Sequence, residues 1–376
     1  MRKILFWIHL IMGLVAGVII FVMCVTGALL TFERQMVDWA DRGAARVTSA
    51  PGAARIPLSV LLAKFGGTPA GVVVRSDPSE PVELVMTKDR TIYVNPYTGA
   101  VTGSPSPRIH AFFQATRAWH RWFAMNDSTQ KPTEPIWDAA NVLFFFIVLS
   151  GPILWWPKKM TWRHLRPIVW FRGHLSGKAR DFNWHNAIGL WMSIPLALMV
   201  ITGVILSYKW ANDLVYRVTG NEPLKFASVR PMPKAEAPPP WQGVDAWVSG
   251  AEARMPGWRT ITIRSVPSRT ISVTVDAGTG GQPQKRGVLT FDRVTGAETK
   301  WEPFANYNLG LRLRMLARVV HTGEVGGAMA QAFAGLSCLC GAVLVYTGFA
   351  LSLRRFAAWR RRKARSVESE VAQVAS

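Results

Sequence analysis

The chain has 376 residues, 49% of them hydrophobic, with 17 Trp, 18 Phe and a formal net charge of +21. A mean hydropathy of +0.14 is too apolar for an ordinary soluble domain. The charge suggests nucleic acid only if the bases share an exposed face, and they instead flank apolar runs.

Four such runs reach the roughly 20 residues that a bilayer-spanning helix takes: Ile4–Phe32, Ile136–Trp156, Ile188–Tyr208 and Val325–Leu353. The sequence thus predicts an α-helical four-span membrane bundle. Residues 1–35 are read as the first transmembrane helix. The basic start Arg2-Lys3 suits a signal peptide, but the apolar run continues to Phe32 and meets Glu33-Arg34 with no small-residue cleavage site, so the helix is expected to be retained. Residues 36–135 are expected to form an extramembrane α+β domain. Short strand-like runs at Gly71–Arg75, Val82–Thr87 and Thr91–Val94 lead into the turn Asn95-Pro96-Tyr97-Thr98-Gly99. The second helix is placed at 136–157.

The loop 158–183 carries seven bases (Lys158, Lys159, Arg163, Arg166, Arg172, Lys178, Arg180) against Asp181 alone. The third helix is placed at 184–208. A second α+β domain follows at 209–320, with an extended linker at Ala235–Pro240. Its strand-like runs are Trp258–Arg264, Thr270–Val275 and Gly287–Phe291, ending in the turn Asp292–Gly296. The fourth helix is placed at 321–353, and the tail 354–376 carries seven more bases. By the positive-inside rule, the loop, the tail and both termini face the cytoplasm and the two domains face outward, taken as a bacterial periplasm. The basic flanks then read as topogenic charge against anionic membrane lipid, and no nucleic acid is expected. Cys24, Cys338 and Cys340 lie within apolar spans and predict no disulfide framework.

The chain repeats itself. His9-x-x-x-Gly13-Leu14 and Val25-Thr26-Gly27 recur as His185-x-x-x-Gly189-Leu190 and Ile201-Thr202-Gly203, always 176 residues on. Thr98-Gly99 matches Thr295-Gly296, Arg117-x-x-His120 matches Arg318-x-x-His321, and Ser150-Gly151 matches Thr347-Gly348. Both halves start and end inside, so the repeat is parallel, with its pseudo-two-fold along the membrane normal. Four of the seven histidines recur; His110, His164 and His174 do not. His9 and His185 belong near the cytoplasmic face, and His120 and His321 near the periplasmic face.

Two histidines facing each other at one depth suit haem b, whose iron takes two axial imidazoles and whose ring packs between helices. Zinc suits them less, because two histidines leave its tetrahedral shell incomplete; Glu324 offers a further ligand beside His321 only. Gly13 and Gly189, one turn above their histidines, either admit a flat ring against the backbone or serve close helix packing. Arg117 and Arg318, three residues before theirs, either pair with haem propionates or face lipid phosphate. Trp119 and Trp122 either line a cofactor or are ordinary interfacial residues.

The H-x-x-x-G-L and [VI]-T-G spans, the P-Y-T-G turn and the run His321-Thr322-Gly323-Glu324-x-Gly326-Gly327…Tyr346-Thr347-Gly348-Phe349 resemble the PepSY-associated transmembrane family. These are bacterial inner-membrane proteins often linked to iron acquisition. The resemblance covers nearly the whole chain, and within the family it is to the FoxB-type di-haem ferrisiderophore reductases. The first half departs from the pattern after His120, reading RWFAMNDSTQKP. The resemblance implies two periplasmic PepSY-like domains and two haems b. It also implies an oxidoreductase passing electrons to a periplasmic ferric siderophore of hydroxamate type, releasing iron as Fe(II). The four repeated histidines would be the axial ligands. No G-x-G-x-x-G or P-loop is present, so a quinol or a cytoplasmic donor is expected to supply electrons; the basic loop with His164 and His174 either docks an acidic donor or carries topogenic charge alone. Two rival readings are a siderophore permease, for which four spans leave little room, and a regulator without redox activity, which leaves the histidines unexplained.

Overall fold

Long apolar runs become helices and short period-two runs become strands, as the two periodicities require. The computed structural model describes residues 1–48, 52–65, 69–87, 90–122, 134–157, 159–223, 239, 241–265 and 268–374. Most of the expected linker at Ala235–Pro240, Lys158, and the divergent stretch beyond Trp122 lie outside these residues.

In chain order the first half contains α1 (Arg2–Leu30), α2 (Glu33–Asp41), α3 (Leu58–Ala63), β1 (Gly71–Arg75), β2 (Val82–Thr87), β3 (Arg90–Val94), β4 (Val101–Gly103), α4 (Pro107–Trp122) and α5 (Glu134–Trp155). Then come α6 (Trp162–Val169), α7 (Gly177–Trp191), α8 (Ser193–Ser207), α9 (Lys209–Val218), α10 (Val244–Arg254), β5 (Thr260–Arg264), β6 (Thr270–Asp276), β7 (Arg286–Asp292), β8 (Glu298–Pro303), α11 (Leu309–His321) and α12 (Gly327–Val374). The chain divides into a helical unit (Met1–Thr31, Gln114–Ala211, Val320–Ser376) and a sheet unit (Phe32–Phe113, Asn212–Val319).

In the helical unit three stretches are long and apolar enough to cross a membrane: Arg2–Leu30, Pro135–Trp155 and Glu324–Ser366. The third expected span is not one straight helix. α7 and α8 meet at a 63° bend around Met192. Pro195, third in α8, has no N–H and its ring clashes with the carbonyl of Trp191, four residues back. The corresponding residue of the first half is Ile19, and α1 runs unbroken.

α1 packs on α5 and α12, α5 on α8, and α7 on α12. Small residues set the closest approaches. A Cβ at Gly17 would stand 2.5 Å from the Phe349 ring, and one at Gly341 would stand 2.7 Å from the Cys24 sulfur. Ile4, Val15, Val18, Ile194, Phe333 and Leu339 are exposed, as hydrocarbon-facing positions should be. The three cysteines are free, as expected.

The fourth span extends far past the expected Leu353, because the basic tail continues as the same helix. Asp181, the lone acid of the basic loop, is fully buried in α7. Its carboxylate meets Arg180 at 2.9 Å and Arg354 of α12 at 2.6 Å, so it ties the loop to the tail. Asn183, also buried, accepts from the Arg172 N–H and donates to the Trp170 carbonyl.

The sheet unit joins what the sequence presented as two domains. Its eight strands are all antiparallel, in the order β4-β3-β2-β1-β5-β6-β7-β8. Each half supplies a four-stranded meander, and β1 pairs with β5 from Gly71↔Arg264 to Arg75↔Thr260. Alone, each meander would leave that strand's backbone groups unpaired at an edge. α3 and α10 contribute Leu58, Leu61, Leu62, Val244, Trp247 and Ala251 to one shared core with Val72, Leu84, Ile261, Ile263, Val273 and Leu289.

The repeated turns are real. The Asn95 carboxamide accepts from the N–H groups of Tyr97 and Thr98 before Gly99 at φ +71°. The Asp292 carboxylate accepts from those of Val294 and Thr295 before Gly296 at φ +73°.

Candidate functional site

The site is best built from hydroxyl groups. A serine or threonine inside an apolar helix must satisfy its one hydrogen, and it does so on a carbonyl one turn back. Thr26 donates to the Val22 carbonyl at 2.6 Å, Thr202 to that of Leu198 at 2.8 Å, Thr347 to that of Val343 at 2.9 Å and Ser150 to that of Ile147 at 3.1 Å. All four side chains are buried. With the hydrogen spent, the oxygen presents only lone pairs.

Each of these oxygens meets one of the four repeated histidines, always at Nδ1. The separations are 2.7 Å for His9 and Ser150, 3.0 Å for His120 and Thr26, 2.9 Å for His185 and Thr347, and 3.2 Å for His321 and Thr202. An acceptor-only oxygen requires Nδ1 to carry the proton. His321 makes this unambiguous, since its Nδ1 also lies 2.9 Å from the Met199 carbonyl, which can only accept. All four imidazoles are thus held as the same tautomer, with the Nε2 lone pair available for a metal.

Every histidine takes its hydroxyl from its own half of the chain, and each half supplies one histidine to each pair. The rings of His120 and His321 have centroids 6.3 Å apart and planes tilted by 56°. Two imidazole nitrogens each about 2 Å from one metal, with roughly 1 Å more to each ring centre, give roughly 6 Å, so the pair fits an ion held between two axial ligands.

Among the described residues no group of three or more His, Cys, Asp or Glu could hold a metal ion. His120 and His321 thus offer two ligands where a closed zinc site takes four. Glu324, the extra ligand that zinc would need, accepts from the Thr322 hydroxyl at 3.1 Å.

The glycines sort themselves. A Cβ at Gly13 would meet nothing within 4 Å, and one at Gly189 only Leu344 at 3.7 Å, so neither is a tight helix contact. The glycine after each threonine matters more. A Cβ at Gly27 would stand 3.2 Å from His120 Cε1, and one at Gly203 would stand 3.3 Å from His321 Cε1. Arg117 and Arg318 stand exposed one turn before their histidines on α4 and α11, and Trp119 is exposed beside Arg117.

The unrepeated histidines do other work. His110 Nε2 pairs with the buried Asp41 at 2.9 Å, and His164 Nδ1 meets the Thr161 hydroxyl at 2.6 Å.

A family model described as the PepSY-associated TM region matches residues 6–355. The chain belongs to this family. Comparison with curated proteins finds no match. The matched residues include His9, His120, His185 and His321. The hydroxyl partners were missed in sequence. Their signal was present as four [Ser/Thr]-Gly dipeptides in four apolar runs, read there only as repeat markers.

Proposed function

We propose that this PepSY-associated protein is an inner-membrane oxidoreductase that holds two haems b. One is ligated by His9 and His185, the other by His120 and His321, and electrons pass between them to a periplasmic ferric siderophore. The observation that supports the reading is the common tautomer: four buried hydroxyls at Nδ1 leave Nε2 of each histidine as the ligating atom, and the His120 and His321 rings lie 6.3 Å apart. A bound haem supplies one-electron Fe(III)/Fe(II) exchange.

The chain's own residues hold and space these sites. His9 and Thr26 lie on the same helix α1, and Thr26 anchors His120. At 1.5 Å per residue the two levels are separated by roughly 25 Å along that helix, so the pairs lie toward opposite faces of the bilayer. The apolar helices exclude water between them. Arg117 and Arg318, three residues before His120 and His321 in sequence, would supply guanidinium to haem propionates.

The basic loop and tail keep both termini in the cytoplasm and the sheet unit in the periplasm. Electrons come from quinol or a cytoplasmic donor. One electron converts siderophore-bound Fe(III) to Fe(II), which hard oxygen ligands such as hydroxamates hold weakly.

The test is a proteoliposome with reductant inside and a ferric hydroxamate siderophore plus a ferrous chelator outside. Chelated Fe(II) should appear with wild-type protein and not with His120→Ala or His185→Ala. Wild-type rates from both variants would refute the reading.

A further inference from the structure

One of the four imidazoles has a second acceptor. His321 Nδ1 lies 2.9 Å from the Met199 carbonyl besides its hydroxyl, whereas at His9, His120 and His185 the hydroxyl is the acceptor found among the described residues. Both kinds of acceptor draw on the Nδ1 proton and make the far nitrogen a stronger base, which favours the higher-charged ferric ion.

Resting on the di-haem reading above, we propose that Ser150, Thr347, Thr26 and Thr202 are positioning residues that aim and tune the axial ligands, with His321 the ligand least dependent on its hydroxyl. The glycine that follows each threonine belongs to the same device. Gly27 and Gly203 let the imidazole lie against the helix that carries its acceptor, and Gly348 leaves His185 Cε1 at 3.6 Å from where a Cβ would be. At the three threonines one dipeptide thus fixes tautomer and ring position together, whereas a Cβ at Gly151 after Ser150 would meet nothing within 4 Å. The fourfold use of the hydroxyl explains why serine or threonine sits at 2% exposure or less within α5 and α12, where a polar group is costly.

The experiment compares purified full-length wild type, Ser150→Ala, Ser150→Thr, Thr347→Val and Thr347→Ser for haem per chain, haem dissociation and midpoint potentials by redox titration. Ser150→Ala is expected to weaken retention of one haem by about tenfold or more and to move that haem's midpoint to more positive values. Thr347→Val should shift the same haem in the same direction, because His185 of that pair loses its acceptor in turn. The hydroxyl-retaining variants Ser150→Thr and Thr347→Ser should behave as wild type, which a purely space-filling role would not give. Wild-type retention and midpoints in both Ser150→Ala and Thr347→Val would overturn this inference while leaving the two-haem reading intact. A wild-type chain that binds no haem would overturn both.

Discussion

Replacing Gly13 with Ala separates two explanations of that residue by the sign of their effects. If Gly13 exists for helix packing, a methyl group there should destabilise the bundle. A Cβ at Gly13 meets nothing within 4 Å, and Ala in place of Gly inside a helix gains up to about 1 kcal/mol. The apoprotein should therefore melt at the same temperature or slightly higher. If Gly13 instead clears the backbone beside His9, one turn below on the same face, the same methyl should lower haem occupancy at the His9/His185 pair. Gly13→Leu should lower it further.

Gly17→Ala is the control, since its Cβ would lie 2.5 Å from the Phe349 ring. It should cost about 1–3 kcal/mol through overpacking. Thermal unfolding in detergent and haem per chain, measured on the same preparations, give both signs. Gly13→Ala and Gly13→Leu with two haems and an unchanged spectrum would refute the reasoning.

Three further outcomes are expected. Gly203→Ala puts a methyl 3.3 Å from His321 Cε1 and 3.5 Å from Asn141 Nδ2; it should loosen the haem of the His120/His321 pair and leave the other, which separate redox titration waves would resolve. Asp41→Ala removes the acceptor shared by the Ser106 N–H at 2.6 Å, the Tyr93 hydroxyl at 3.1 Å and His110 at 2.9 Å, and should cost about 3 kcal/mol by leaving buried donors unmet; a melting temperature equal to wild type would contradict this. Burial pushes the Glu83 carboxyl up, against the opposing pull of Arg75. A raised folded value gives stability that is present below the unfolded pKa of about 4.3 and lost as pH rises through the folded one, so Glu83→Gln should match wild type in acid and exceed it at neutral pH.

How far the sequence reached depends on whether the deciding interaction is local. The apolar runs gave the spans, and the two Thr-Gly turns stand where their side-chain acceptors put them, because both depend on neighbouring residues. The repeat singled out His9, His120, His185 and His321, since a cofactor between two halves needs one ligand from each. The bend at Met192 was legible in Pro195, but the match to the unbroken α1 pointed the other way. The union of two meanders through β1 and β5 was not legible, because pairing of strands almost 190 residues apart leaves no local mark. Asp181 looked like a stray acid among bases until Arg354 was beside it. The hydroxyls fell between these cases: visible as a pattern, without meaning until each met an Nδ1.

The central claim, two haems b each held by one histidine from each half, is tested most directly by the reduced-minus-oxidised absorption spectrum of the purified chain with haem counted per protein. The account predicts two b-type haems in wild type and one in His185→Ala. A colourless wild type, or a His185→Ala chain that keeps both, would contradict it.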